Sequence, residues 1–445
     1  MASNRPENNM TEEKKTLQAT SAERRRSWKW IPSLYFMEGI PYVMVMTVSV
    51  VMYKRLGISN TDIALYTSWL YLPWVIKPFW SPIVDILKTK RFWIVTMQLI
   101  IGAALAGVAL TLPGPAFFKW SLVFFWLIAF SSATHDIAAD GFYMLAIDDS
   151  NQAWFVGIRS TFYRLAMIAG QGLLVMLAGQ LEERMGDIAT AWAWTLGVTC
   201  ALFVVLTLYH KWILPRPDAD QPAASATVGN VVREFGLTFA SFFKRPGIGV
   251  TIAFILLYRF SEAQLVKMAS PFLLDARAAG GLGLSTTEVG FVYGTVGLIS
   301  LTLGGILGGF LASRNGLKYW LWPMVLAINV PNAVYVLLSL FQPESALIVN
   351  VAVAVEQFGY GFGFTAFMLY MIYAVEGQHK TAHFAICTGF MALGMMLPGM
   401  ASGWIQETLG YQNFFIWVLL ATIPGFYMAS KVTIDPSFGK AEKTA

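Results

Sequence analysis

Residues 119–147 read KWSLVFFWLIAFSSATHDIAADGFYMLAI, and this stretch decides the fold class. The run is long enough to cross a bilayer as one helix, which takes about 20 mostly apolar residues. It also carries His135, Asp136 and Asp140, although a charge at membrane depth is unfavourable unless it is paired or hydrated. Ionisable residues on an apolar run predict a membrane-spanning helix that faces other helices or a water-filled space.

The rest of the chain repeats this apolar pattern. Hydrophobic residues make up 56% of the 445 residues and charged residues only 13%, whereas soluble proteins have about 25% charged residues. Much of the surface must therefore face lipid. The sequence predicts an all-α integral membrane protein of twelve spans in two sets of six: 30–53, 62–86, 92–112, 119–147, 156–181 and 190–212, then 249–275, 287–312, 318–341, 345–375, 382–406 and 411–430.

The two sets of spans divide the chain into five predicted segments. These are a cytoplasmic polar tail (1–27), an N-terminal six-helix bundle (28–212), a cytoplasmic linker (213–248), a C-terminal six-helix bundle (249–431) and a second cytoplasmic tail (432–445). We expect a disordered first tail and an uncleaved first helix, because the polar tail is unlike a secretory signal peptide. Residues 229–244 of the linker fit either an amphipathic helix at the membrane surface or a flexible connection.

Basic residues predict the orientation, since they accumulate in cytoplasmic loops. With both termini inside, 21 of the 31 Lys and Arg residues fall in cytoplasmic segments and five in outside loops. We therefore expect both termini in the cytoplasm. Two parallel bundles joined by such a linker are typical of transporters that bind their solute between the bundles, near the membrane midplane.

Several other functions lack support in the sequence. The net charge of +5 is dispersed, so nucleic-acid binding is not expected. Cys200 and Cys387 lie in apolar runs and predict neither a disulfide nor a metal site. No P-loop, zinc-ligand spacing or nucleophile elbow in proper context is found, so we expect no enzyme, no cofactor and no ATP-driven transport.

Acidic residues within the spans are candidates for proton coupling. Asp136 and Asp140 are spaced i, i+4 and so share one helix face, and Glu356 holds the corresponding place in the second set of spans. A carboxyl group in low-dielectric surroundings can bind a proton near neutral pH. The alternative for Asp136 and Asp140 is a permanent salt bridge. His135 and Gln357, beside these acids, are candidate solute contacts, although a hydrogen-bonded interior histidine is also compatible with the sequence.

Basic residues within the spans are candidates for solute binding. Arg164, with Tyr163 beside it, either contacts a solute carboxylate or pairs with Asp136 or Asp140. Arg159 is expected to extend to the inner membrane surface. Lys77 stands next to a proline that interrupts the second span.

The first and seventh spans add further candidates. Glu38 precedes Pro41, a proline that we expect to expose backbone groups to a cavity. Arg259 and Glu262 are spaced i, i+3, so they either neutralise each other or contact solute, with Tyr258 adjacent.

Aromatic residues in the spans allow two interpretations. They form a platform for sugar rings, or they pack between helices and at the membrane interface. The residues concerned are Trp69, Tyr71, Trp74, Tyr143, Tyr258, Tyr293 and Tyr360.

Four segments resemble the AmpG-type muropeptide permeases of the major facilitator superfamily: Phe79-Trp-Ser-Pro-Ile-Val-Asp85, Ser131-Ser-Ala-Thr-His-Asp-Ile-Ala-Ala-Asp140, Tyr163-Arg-Leu-Ala-Met167 and Tyr258-Arg-Phe-Ser-Glu262. The resemblance implies the major facilitator fold and import of GlcNAc-anhydromuramyl peptides driven by the proton gradient, with Asp136 important. This chain differs in having Glu38 where those permeases usually have a small residue, and His135 where a glutamine is familiar.

The leading hypothesis is a monomeric, proton-coupled importer of an amino-sugar disaccharide or muropeptide in the bacterial inner membrane, with protons and the lipid bilayer as its other partners. Alternative solutes are oligosaccharides from glycan breakdown and acyl-CoA esters. Two further alternatives are a non-transporting receptor on the same fold and a membrane enzyme that acts on lipid-linked sugars.

Overall fold

The computed structural model describes residues 23–222, 228–375 and 380–440. Every regular element in these three ranges is helical. The disorder expected for the first tail concerns mainly residues 1–22, which lie outside the described residues, as do residues 441–445 at the end of the second tail.

The helices are numbered here in chain order. They are α1 (Ile31–Val43), α2 (Ser49–Arg55), α3 (Asn60–Trp69), α4 (Leu72–Leu87), α5 (Lys90–Thr111), α6 (Phe117–Ala146), α7 (Asp149–Met167), α8 (Val175–Met185), α9 (Ile188–Ile213), α10 (Val228–Phe243), α11 (Ile248–Leu257), α12 (Phe260–Leu274), α13 (Thr286–Phe291), α14 (Leu298–Asn315), α15 (Leu317–Asn329), α16 (Ala333–Phe341), α17 (Ala346–Ala374), α18 (Lys380–Leu420) and α19 (Ile423–Lys431). Short π-helical turns join three pairs of them: Met44–Val48 joins α1 to α2, Ile168–Leu174 joins α7 to α8, and Val292–Gly297 joins α13 to α14.

Each predicted span contains helix, but the boundaries differ in two places. Ten helical stretches in the described part of the chain are long and apolar enough to cross a membrane. The predicted span 62–86 is divided between α3 and α4. The last two predicted spans run on in α18 and are separated only at Gly410, whose φ of 73° and ψ of 164° are not helical.

Glycines bring α14 and α17 into close contact, because residues without a side chain let membrane helices approach each other. A Cβ added to Gly361 would lie 1.9 Å from the carbonyl oxygen of Leu301. One added to Gly304 on the opposite helix would lie 2.1 Å from the carbonyl oxygen of Phe358. The two backbones therefore touch, and any side chain at these positions would separate the helices.

Gly361→Val is expected to lower the melting temperature of the purified protein, because overpacking at a rigid contact costs about 1–3 kcal/mol. Gly309→Val on α14 is the matched control, since nothing lies within 4 Å of a Cβ added there. Equal melting temperatures for the two variants in detergent would show that the close helix contact does not stabilise the fold.

The predicted linker contains a helix, α10, rather than a flexible connection, and its place at the membrane surface stays a prediction. Phe239 lies 5.6 Å from Phe79 of α4, and Phe242 lies 6.3 Å from Phe390 of α18, measured between ring centroids. Because α4 and α18 belong to the two different sets of spans, α10 packs against both. The aromatic face of the helix is therefore buried between them rather than left free.

Candidate functional site

A cavity of about 270 Å³ lies between the two sets of helices. The N-terminal helices (α1–α9) contribute Glu38, Trp74, Lys77 and Asp136 to its wall, and the C-terminal helices (α11–α19) contribute Arg259. Four of these five residues are ionisable, and all four were candidates from the sequence. The cavity is thus the shared chamber that the paired-bundle architecture predicts.

Lys77 and Asp136 form an ion pair across the cavity wall. The Lys77 ammonium donates a hydrogen bond to Oδ2 of Asp136. Their side chains remain 27% and 22% exposed, so the pair faces the cavity rather than the protein interior. From the sequence, the partner of Asp136 could be the solute or a basic residue such as Arg164. In the structure that partner is Lys77.

Glu38 lies beside this pair and forms no ion pair with any residue in the described part of the chain. Its carboxyl group contacts the carboxyl group of Asp136. The residue is only 7% exposed, and its Oε2 has no hydrogen-bond partner among the described residues. Gly39 allows this position, because it lets α1 approach α7 so closely that a Cβ there would lie 2.7 Å from Cβ of Ala166.

Asp140 lies behind the cavity wall in a second ion pair. Arg159 donates to its Oδ1 at 2.5 Å, and the Tyr35 hydroxyl donates to the same oxygen at 3.2 Å. The guanidinium group also stacks 4.4 Å from the centre of the Tyr35 ring. Arg159 is thus bound by a carboxylate one helix away, and its extension to the inner membrane surface stays a prediction.

Arg259 reaches the cavity from the C-terminal helices, and hydrogen bonds to Glu262 and Tyr360 fix its position. It donates two hydrogen bonds to Glu262, at 2.5 and 3.0 Å, and one to the Tyr360 hydroxyl at 2.7 Å. The i, i+3 pairing considered from the sequence is thus present. Glu262 is 1% exposed and orients the arginine. Tyr258 is a packing residue, since its hydroxyl donates to the Gly363 carbonyl oxygen at 2.9 Å.

Four more sequence candidates, in addition to Asp140, Glu262 and Tyr258, do not line the cavity. His135 is 1% exposed and bonds to Gln98 at 2.9 Å, which is the hydrogen-bonded interior histidine of the second alternative. Glu356 is 2% exposed and accepts a hydrogen bond from Gln357 at 2.9 Å. Arg164 does not pair with Asp136 or Asp140, because Lys77 and Arg159 occupy them. Roles for Arg164, Glu356 and Gln357 remain predictions.

Aromatic rings make up much of the remaining wall. Tyr71, Trp74 and Tyr163 were candidates from the sequence, and the structure adds Tyr42, whose ring stands edge-on to Trp74 with centroids 5.4 Å apart. Sequence reasoning also missed Ser132, Thr388, Met391, Ala392 and Met395. Ser132 could have been found, because it lies one helical turn from Asp136; the α18 residues carry no comparable signal.

Polar contacts join the two sets of helices at one end of the molecule, called here the closed end. Lys54 pairs with Asp275 at 2.6 Å, and the Tyr411 hydroxyl donates to the same carboxylate at 2.6 Å. Asn60 donates to Gln406 at 2.6 Å and to Tyr411 at 2.9 Å. Lys54 and Asn60 belong to the N-terminal helices and the other three to the C-terminal helices, so these bonds connect the two sets of helices.

Backbone contacts through glycines complete the closed end. A Cβ added to Gly294 would lie 2.2 Å from Cα of Gly172, where two π-helical turns meet. One added to Gly403 would lie 1.9 Å from the carbonyl oxygen of Asn60. The two sets of helices are therefore in direct backbone contact at this end.

Comparison with known proteins adds to this geometry. Residues 33–378 match the family model described as Major Facilitator Superfamily. The anhydromuropeptide permease of Escherichia coli (strain K12) is 25% identical over 403 residues, which cover 89% of this chain and 77% of that protein. This similarity confirms the AmpG-type resemblance drawn from the sequence.

Solved structures show the same fold at lower identity. The nucleoside transporter NupG aligns with a TM-score of 0.66 at 17% identity, covering 93% of this chain and 100% of that one. The D-xylose-proton symporter aligns with a TM-score of 0.66 at 11% identity, covering 93% and 99%. With its apolar helices and its family match, the chain is a multi-pass membrane transporter rather than an enzyme, and it belongs to the Major Facilitator Superfamily.

Proposed function

We propose that this chain is a proton-coupled importer of a sugar-containing solute of the GlcNAc-anhydromuramyl peptide class, acting as a monomer in the bacterial inner membrane. In this proposal twelve spans form two bundles with both termini in the cytoplasm, and the cavity is exposed alternately to the two sides of the membrane. The observation that carries the proposal is the charged and aromatic cavity between the two sets of helices.

The cavity wall suits a solute that combines sugar rings with charged groups. Tyr42, Tyr71, Trp74 and Tyr163 offer ring faces and edges to a sugar. Arg259 bonds to Glu262 and Tyr360 through Nε and Nη2, which leaves the donors of Nη1 for a solute carboxylate, and anhydromuramyl peptides contain both sugar rings and carboxylates. The volume of about 270 Å³ is just below the range of about 300–1,000 Å³ typical of small-molecule sites. Binding of a disaccharide peptide therefore needs a wider cavity, which separation of the bundles supplies.

The closed end faces the periplasm in this proposal. Lys54, Arg55 and Arg277 fall in the outside loops under the orientation that the basic residues favour. Lys54 is bound in the closed end, and Arg55 pairs with Glu182 at 2.9 Å close to it. The structure would then be the state that releases solute to the cytoplasm.

A counterflow screen in proteoliposomes tests the solute class. The probes are radiolabelled GlcNAc-anhydromuramyl peptide, GlcNAc-containing oligosaccharides and acyl-CoA esters, each exchanged against its unlabelled form. We expect exchange of the anhydromuramyl peptide. Exchange of acyl-CoA alone would exclude the sugar assignment, and binding without exchange of any probe would indicate the receptor alternative.

A further inference from the structure

The charges around the cavity leave one carboxyl group without a cation. Asp136 is paired with Lys77 and Asp140 with Arg159. Glu38 contacts the Asp136 carboxyl group, is 7% exposed, and has one oxygen without a hydrogen-bond partner among the described residues. Three carboxyl groups therefore share two cations, and Glu38 is the group left over.

The other ionisable groups near Glu38 do not supply the missing charge. Tyr35 and Tyr163 are phenols and carry no positive charge. The Tyr35 hydroxyl donates a hydrogen bond to Asp140. The amide nitrogen of Gln98 donates to Nε2 of His135, so that nitrogen carries no proton and the imidazole is neutral. Arg259, across the cavity, is bound by both oxygens of Glu262.

We propose that Glu38 carries the proton that is transported with the solute, and that it shares this proton with Asp136 in the state seen here. Two carboxyl groups in contact cannot both be ionised at low cost, and a buried carboxylate without a counter-ion is strongly disfavoured. A proton on Glu38 removes the repulsion between the two carboxylates and the unpaired buried charge. The protonated Glu38 then donates a hydrogen bond to the Asp136 carboxylate.

The same geometry explains how the proton could leave. Lys77 is the only cation beside the Glu38–Asp136 contact in the described cavity wall, apart from Arg259, which Glu262 binds. When the cavity is hydrated from the cytoplasm and the solute departs, water can accept the proton from Glu38. Both carboxylates then compete for Lys77, and the ion pair rearranges. Reloading from the periplasm returns the proton to Glu38, so one proton crosses in each cycle.

This inference rests on the proposed proton-coupled transport, but it can be tested without any solute. Infrared difference spectra of the purified protein in liposomes, recorded in H₂O and D₂O, report the C=O stretch of protonated carboxyl groups. We expect one such band to weaken as the pH is raised and to be missing in Glu38→Gln. Glu356→Gln is the matched control: Glu356 is also buried without a cation in contact, yet it lies outside the cavity, so its loss should leave the Glu38 band in place. A Glu38→Gln spectrum identical to that of the native protein would overturn the assignment.

Transport separates this inference from the function on which it rests. The quantity to measure is the ratio of uptake with an acid-outside pH gradient to uptake without one, with labelled GlcNAc-anhydromuramyl peptide as the probe. We expect a ratio well above one for the native protein and a ratio of one for Glu38→Gln. A native ratio of one contradicts the proposed proton coupling. A raised ratio that persists in Glu38→Gln contradicts only the role of Glu38.

Discussion

Gly403→Val is expected to reduce uptake strongly while leaving the fold intact, because the closed end would shut much less often. A side chain at residue 403 would begin 1.9 Å from the carbonyl oxygen of Asn60, and a backbone atom of a helix cannot move aside as a side chain can. Overpacking of this kind costs about 1–3 kcal/mol, which corresponds to a fall of about 5- to 150-fold in the population of the closed state. The rate of uptake should fall by at least the same factor as the population of the closed state.

Accessibility from outside distinguishes a blocked closure from misfolding. Ser68 is buried behind the closed end, so a cysteine introduced by Ser68→Cys, with Cys200 and Cys387 replaced by serine, should resist a membrane-impermeant maleimide. Labelling should rise when Gly403→Val is added. Gly197→Val is the control, because nothing lies within 4 Å of a Cβ there. Lost uptake with unchanged labelling would refute this role for the closed end.

Asp136→Asn is the second variant with a large expected effect. It leaves the Lys77 ammonium without its partner, because Glu38, the other acid in this part of the cavity wall, carries a proton in the proposed state. Removal of one partner of a fully buried ion pair costs about 3–5 kcal/mol, but the two side chains here are 27% and 22% exposed. We therefore expect a cost nearer to 1–3 kcal/mol and a loss of uptake of at least about tenfold.

A second substitution separates stability from transport at this pair. Adding Lys77→Met to Asp136→Asn removes the unpaired charge, so the melting temperature should recover, whereas uptake should remain lost because the pair itself takes part in the cycle. Asp187→Asn, at the exposed start of α9, is the control and should keep native uptake. Recovery of uptake in the double variant would show that the ion pair only stabilises the fold.

Much of the cavity was predictable from residues that lipid would not tolerate. Glu38, Lys77, Asp136 and Arg259 are ionisable residues in apolar runs, and all four line the cavity. Arg164 is also an ionisable residue in an apolar run, yet it does not line the cavity. Sequence spacing gives the face of a helix but not the neighbour that this face meets. The partner of each charge therefore depends on how the helices pack.

The closed end was less accessible to sequence reasoning. Asn60 lies more than 300 positions from Gln406 and Tyr411 along the chain yet donates a hydrogen bond to each of them, and no local pattern indicates such a contact. The helix break between α3 and α4 was also missed, because the hydropathy of 62–86 continues across it. By contrast, the close contact at Gly361 agrees with a general pattern, since small residues are typical where membrane helices touch.

The most direct test of the proposed mechanism is gradient-driven uptake in proteoliposomes that contain only this protein. Labelled GlcNAc-anhydromuramyl peptide is supplied outside, and an acid-outside pH gradient is imposed and then collapsed with a protonophore. We expect accumulation above the outside concentration that requires the gradient and disappears in Asp136→Asn. Uptake that only equilibrates, whatever the gradient and whatever residue stands at position 136, would contradict proton-coupled transport through this cavity.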